Sequence, residues 1–147
     1  MSFNSVEDIV KAIITWEKDF DSFYSTLEEY LKDEKSRKAA EVLQLRHEKI
    51  LKELESIDLE KYGHIEFVKY VPEYSGEDRF EIAADAAVED LFYKILDHEE
   101  KRIEYYRRLR NIVVFEKSRE LFDMLIQLKT GQAKEIKALL DSYNLAM

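Results

Sequence analysis

Trp16-Glu17-Lys18-Asp19-Phe20-Asp21-Ser22-Phe23-Tyr24 and His98-Glu99-Glu100-Lys101-Arg102-Ile103-Glu104-Tyr105-Tyr106 are two versions of one pattern. Each sets a Glu seven residues before a Tyr, with an aromatic just ahead of that Tyr. Seven residues make two helical turns, so Glu17 shares a helix face with Tyr24, and Glu99 with Tyr106. A carboxylate on an apolar face is costly without a partner. Two of them in duplicated contexts point to an internal repeat and a buried polar site.

Outward from the first segment, Ile9, Ile13, Trp16, Phe20, Phe23/Tyr24, Leu27 and Leu31 recur in steps of three and four. That is the stripe of an amphipathic helix, opened by Ser5 and Asp8 as a capping pair. Asp33 can cap a second helix, whose stripe is Ala40, Leu43, His47, Ile50, Leu54 and Ile57. So short a connection makes the two helices antiparallel neighbours, a first hairpin over about 5–57. Outward from the second segment, Val88, Phe92, Ile95, Glu99, Ile103, Tyr106 and Leu109 mark helix 3, from about Ala86 to Asn111. Helix 4 follows from near Val114 to Tyr143, with Leu121, Phe122, Leu125, Ile126, Ala133, Ile136, Leu139 and Leu140 as apolar members, so a second hairpin covers about 86–143.

Residues 1–62 hold neither Gly nor Pro, whereas Gly63, Pro72 and Gly76 fall together with Tyr62, Phe67, Tyr70, Tyr74 and Phe80. Residues 58–85 read as a long, packed crossover, with His64 to Val71 able to run extended. Order and lengths predict an all-α fold: one domain over 1–147, a four-helix bundle of two hairpins joined by that crossover.

Composition excludes several function classes. The net charge is −9 with no basic block, which argues against nucleic acid and anionic membranes as partners. With no Cys, disulfides, Fe–S clusters and thiol catalysis are out. The N-terminus lacks a secretory pattern and no apolar run approaches a membrane span, so a cytoplasmic protein is expected. A C₂ homodimer is the expected assembly, because dimers are the commonest oligomers and the aromatic crossover offers an apolar patch.

With Glu17…Phe23-Tyr24, Glu99…Tyr105-Tyr106 and His47-Glu48-Lys49-Ile50-Leu51-Lys52-Glu53-Leu54 in view, the chain resembles the rubrerythrin-like branch of the ferritin-like superfamily over both hairpins. In that family helices 1 and 3 each give one Glu, and helices 2 and 4 each give Glu-x-x-His, to bind two irons. The resemblance implies Glu17, His47 and Glu99 as metal ligands, with Gln44, a weaker neutral donor, where the family has Glu. On helix 4, aligning Ile136 with Ile50 puts Ala133 and Thr130 at the motif positions; sliding by one gives Lys129 and Gln132, or Gly131 and Lys134. No register restores the ligand pair.

Two function classes follow, with small-molecule binding in the vacated space between helices 3 and 4 as a third, weaker idea. One is a non-catalytic binding or structural bundle that has lost the complete di-iron motif. The other is a metal-dependent oxidoreductase holding one divalent ion, iron or manganese, on Glu17, His47 and Glu99. If no metal binds, the two buried carboxylates need compensation: a shared proton, a charged His47, or an inward Arg46 or Arg102, with His47 favoured because it lies on the stripe. His98, beside Glu99 and about 100° away, reads as surface. His64 has no readable partner. Asp21, Asp97 and Glu100 read as solvated, Trp16 as packing, and Tyr24 and Tyr106 as core rings or hydrogen-bond donors to the site. Gly131 reads as a mid-helix bend or a point of close approach.

Overall fold

The computed structural model describes residues 4–62, 66–73 and 88–145. It is all-helical apart from one short pairing, and its four helices form a bundle. In chain order the elements are β1 (Asn4–Ser5), α1 (Val6–Tyr30), α2 (Glu34–Glu55), β2 (Phe67–Val68), α3 (Val88–Ile112) and α4 (Glu116–Leu145). The expected start of helix 3 at Ala86, and Gly63, His64, Tyr74, Gly76 and Phe80, lie outside the described residues. Among the described residues, no helix is long and apolar enough to cross a membrane.

The caps form where the sequence puts them. Asp8 N–H donates to Ser5 Oγ (3.1 Å) and Ser36 N–H to Asp33 Oδ2 (3.0 Å), each satisfying an orphan donor of a first turn. α1 packs chiefly on α2, α3 on α4, and α2 also against α4. Contacts run in opposite order along each pair. Lys18 meets Glu55 while Asp21 meets His47, and Arg110 meets Asp123 while Glu99 meets Lys129. Both pairs are therefore antiparallel.

The apolar core falls into two parts. One gathers Ile13, Ile50, Leu54, Tyr106, Leu109, Leu121 and Leu125. The other gathers Phe20, Leu27, Leu43, Phe92, Ile95, Ile136 and Leu140. Between them in sequence, on all four helices, lie the buried polar residues Glu17, His47, Glu99, Arg102, Lys129 and Gln132. A polar layer thus divides the core.

One residue ties the lower end together. β1 and β2 pair antiparallel, Asn4 opposite Val68 and Ser5 opposite Phe67, within the stretch expected to run extended. Just before β2, the Glu66 carbonyl accepts from Val6 N–H (2.8 Å). Its buried carboxylate accepts from Val114 N–H (2.7 Å) and Phe115 N–H (3.0 Å), at the start of α4. A carboxylate there satisfies the two amides just ahead of the first turn and complements the helix dipole.

The mid-helix glycine also finds its reason. A Cβ at Gly131 would lie 3.1 Å from Arg46 Nη2, and Arg46 Nε pairs with Glu135 Oε2 at 3.3 Å. The close approach is by a guanidinium of α2 laid across α4, not by a second backbone.

Glu66→Ala should lower stability by about 2 kcal/mol, since two charge-assisted backbone bonds and a helix cap are lost together. Urea unfolding measures this, and an unchanged midpoint would mean that Glu66 does not hold the α3–α4 turn.

Candidate functional site

Glu17 is the hub of the polar layer and is fully buried. Its Oε1 accepts from Tyr106 Oη–H (2.7 Å) and pairs with Arg102 Nη1 (3.2 Å). Its Oε2 lies 3.0 Å from His47 Nε2 and 3.0 Å from Lys129 Nζ. Burial alone would push the Glu17 carboxyl up. The Lys129 ammonium, the Arg102 guanidinium and the His47 hydrogen bond outweigh it and hold the group well below the usual carboxylate range.

The second carboxylate reaches the hub through a cation. Glu99 Oε2 sits 2.5 Å from Lys129 Nζ, off the hydrogen-bond direction, so this contact is Coulombic. The same ammonium donates to Gln132 Oε1 (2.6 Å). Gln132 Nε2–H then donates to Tyr24 Oη (3.3 Å), and Tyr24 Oη–H donates to Glu99 Oε1 (3.3 Å). Each tyrosine of the repeat therefore serves the other repeat's glutamate. Burial and the neighbouring carboxylates raise both phenols well above their ordinary range, so both remain donors.

His47 is enclosed. Nε2 faces Glu17, Nδ1 lies 2.8 Å from Asp21 Oδ1, and its ring stacks on Tyr24 at 4.8 Å. Each ring nitrogen therefore faces a carboxylate oxygen, Glu17 on one side and Asp21 on the other. Glu17, Glu99 and Asp21 thus share one layer with His47, Arg102 and Lys129.

Against the sequence expectations, Glu17, His47 and Glu99 do enter one layer, but Glu99 is joined to the other two by Lys129. Gln44 is only half-buried. Four expectations need correction. Lys129 and Gln132 face the centre, not Thr130 and Ala133, which line a shallow surface groove between α3 and α4. His98 is buried and stacks on Phe20 at 4.2 Å and 16°. Asp21 is not simply solvated: its side chain is 25% exposed and holds His47. Compensation of the carboxylates comes from Lys129 and Arg102 as well as from the His47 contacts, with Arg102 reaching inward across the Phe20 ring at 5.4 Å.

Signals for the missed residues were present. Leu125, Lys129, Gln132, Ile136 and Leu140 follow one another in steps of four, three, four and four. The stripe of helix 4 runs through both polar residues. His98 is buried because α3 hides an arc wider than one stripe, with His98/Glu99, Arg102/Ile103 and Tyr105/Tyr106 all covered.

Comparison of the chain with protein-family models, with curated proteins and with solved structures gives no match.

Two measurements probe this layer. Lys129→Met should cost about 3–5 kcal/mol, because it strands a buried carboxylate. Adding Glu99→Gln should recover much of the loss, a coupling that a double-mutant cycle reads directly. Independent effects of the two substitutions would separate the ammonium from Glu99. For His98, burial and the Arg102 cation lower the imidazole from 6.5 to about 4, with Lys129 acting the same way and Glu99 and Glu17 opposing. Between those values the unfolded chain binds more protons, so stability is lost as pH falls from 6.5 towards 4. His98→Phe keeps the stack on Phe20 and should flatten that part of the stability–pH curve. Parallel curves for variant and wild type would show that His98 titrates normally.

Proposed function

We propose that the chain is a ferritin-like bundle, two hairpins joined by a crossover, whose centre is closed by side-chain charge and which acts by binding or scaffolding, not by catalysis. The observation that carries this reading is Lys129 Nζ lying between Glu17 Oε2 (3.0 Å) and Glu99 Oε2 (2.5 Å). In the family it resembles, divalent ions neutralise the carboxylates; here an ammonium does so. The donor set does not suit a metal. Both His47 nitrogens are directed at carboxylates, and Lys129 brings a positive charge to the point where the glutamates converge. A divalent ion would have to displace that ammonium, which has no exit to water because Lys129 is 1% exposed. Among the described residues, no group of three or more His, Asp and Glu side chains is arranged to hold a metal ion. The layer also presents no nucleophile beside a base and no route for a substrate, since its members are spent on one another.

Protein produced in iron- and manganese-supplemented medium should carry far less than one metal ion per chain by elemental analysis. Its melting temperature should be the same in chelator and in excess Fe(II) or Mn(II), because a ligand that binds only the native state would raise it. His47→Ala should destabilise equally with and without chelator, as Glu17 and Asp21 lose a shared partner. Near-stoichiometric metal, together with a His47→Ala loss confined to metal-loaded protein, would favour the oxidoreductase on Glu17, His47 and Glu99 instead.

A further inference from the structure

A groove of about 450 Å³ runs along the first half of α1, away from the charged layer. One wall is a single face of α1, Asp8, Ala12 and Trp16 at four-residue spacing with Ile9 beside them. The other is Val71, Pro72 and Glu73, and Tyr105 of α3 closes one side. The volume is that of a small-molecule site.

Its chemistry is one-sided. The walls are aliphatic and aromatic: Ile9, Ala12, Trp16, Val71 and Tyr105. The Tyr105 hydroxyl is already engaged, donating to Pro72 O at 2.6 Å, and its ring meets Trp16 edge-on at 5.8 Å. That hydrogen bond and ring contact fix the two walls relative to each other, so the groove is built before anything enters it. Among the described residues, the only charged groups lining it are two carboxylates, Asp8 and Glu73, both exposed. Among the described residues neither pairs with a Lys, Arg or His, although Glu7, one residue before Asp8, pairs with Lys11 at 3.2 Å. An apolar slot with an indole in its wall and carboxylates at its rim suits a cation on an apolar body. The body is buried against the walls, and the rim supplies the opposite sign. An anion meets only repulsion there, and the chain's net charge of −9 reinforces the preference.

We propose that this groove is a binding site for small amphiphilic organic cations, of the quaternary-ammonium or protonated aromatic-amine class. The site is independent of the charged layer, so its fate and that of the closed centre are decided by separate measurements.

Trp16 is the chain's single tryptophan, which makes the protein its own reporter. Full-length protein is titrated with benzyltrimethylammonium, benzyl alcohol and phenylacetate while indole emission and, in parallel, calorimetric heat are followed. The cation should give a saturable change in both, with the alcohol at least tenfold weaker and the anion weaker still. Asp8→Asn and Glu73→Gln, both exposed and outside the core, should each weaken the cation about fivefold with no loss of melting temperature, an effect that fades at high salt. Ala12→Leu, which fills the slot with an apolar side chain, should abolish binding of all three while leaving the helical circular dichroism signal intact. Equal affinity for cation and alcohol, or full cation affinity in both charge variants, overturns the assignment of ligand class. No saturable response in wild-type protein overturns the site.

Discussion

Burying Glu17 is the constraint around which this bundle is arranged. A carboxylate with no exposure among four helices is tolerated only if its charge is matched where it lies. Every helix contributes to that match: Asp21 from α1 by way of His47 of α2, Arg102 and Tyr106 from α3, and Lys129 from α4. The result is a layer of paired polar groups at the junction of two apolar half-cores. Such layers are poor sources of stability, because desolvation of the ions consumes most of their attraction. Their leverage lies in discrimination. Apolar layers accept repacking at modest cost, so Leu, Ile and Phe alone would let a helix slide by a turn. A slide of any one helix here would separate Lys129 or His47 from Glu17 and strand a buried charge. The polar layer therefore fixes the helices' relative heights while the apolar halves supply the driving force for collapse.

The fold was legible because its signals are periodic and local. Stripes of three and four, two capping side chains and the absence of Gly and Pro before residue 63 are enough to read four helices and their order. The inward direction of Glu17, His47 and Glu99 was legible for the same reason, since each sits on a stripe of apolar neighbours. Lys129 and Gln132 sit on their stripe equally well. They were passed over because a register anchored on one aliphatic match, Ile136 with Ile50, moved the reading by a single residue. On a helix one residue is about 100°, enough to exchange an inward lysine for an outward threonine. The partners of Tyr24 and Tyr106 were illegible in principle. Periodicity shows that each shares a face with its own glutamate, yet only the packing of helix on helix decides that each phenol reaches across. His98 and Asp21 were misjudged through a different limit: stripe width depends on how many neighbours cover a helix, which one helix's sequence does not state.

The repeat pattern and the exchange of tyrosines also bear on how this centre differs from a metal site. Two glutamates related by an internal repeat, each accepting from the other repeat's tyrosine, form a nearly symmetric frame. The asymmetry lies in what fills it. On the α2 side a histidine is clamped between Glu17 and Asp21; on the α4 side a lysine spans Glu17 and Glu99, with Gln132 turning its oxygen to the ammonium and its amide to Tyr24. Lys129 and Gln132 depend on each other. An ammonium offers only donors, so the residue one turn on must accept. Gln132 does so with its oxygen and still donates to Tyr24 with its nitrogen. A protonated histidine in that place would have set a second cation against the ammonium. The α4 pair is thus internally consistent as a cation and its acceptor, and its chemistry opposes that of a carboxylate and imidazole waiting for a metal. The cationic side chain supplies permanently, and as part of the fold, the positive charge that a metal centre must acquire from solution.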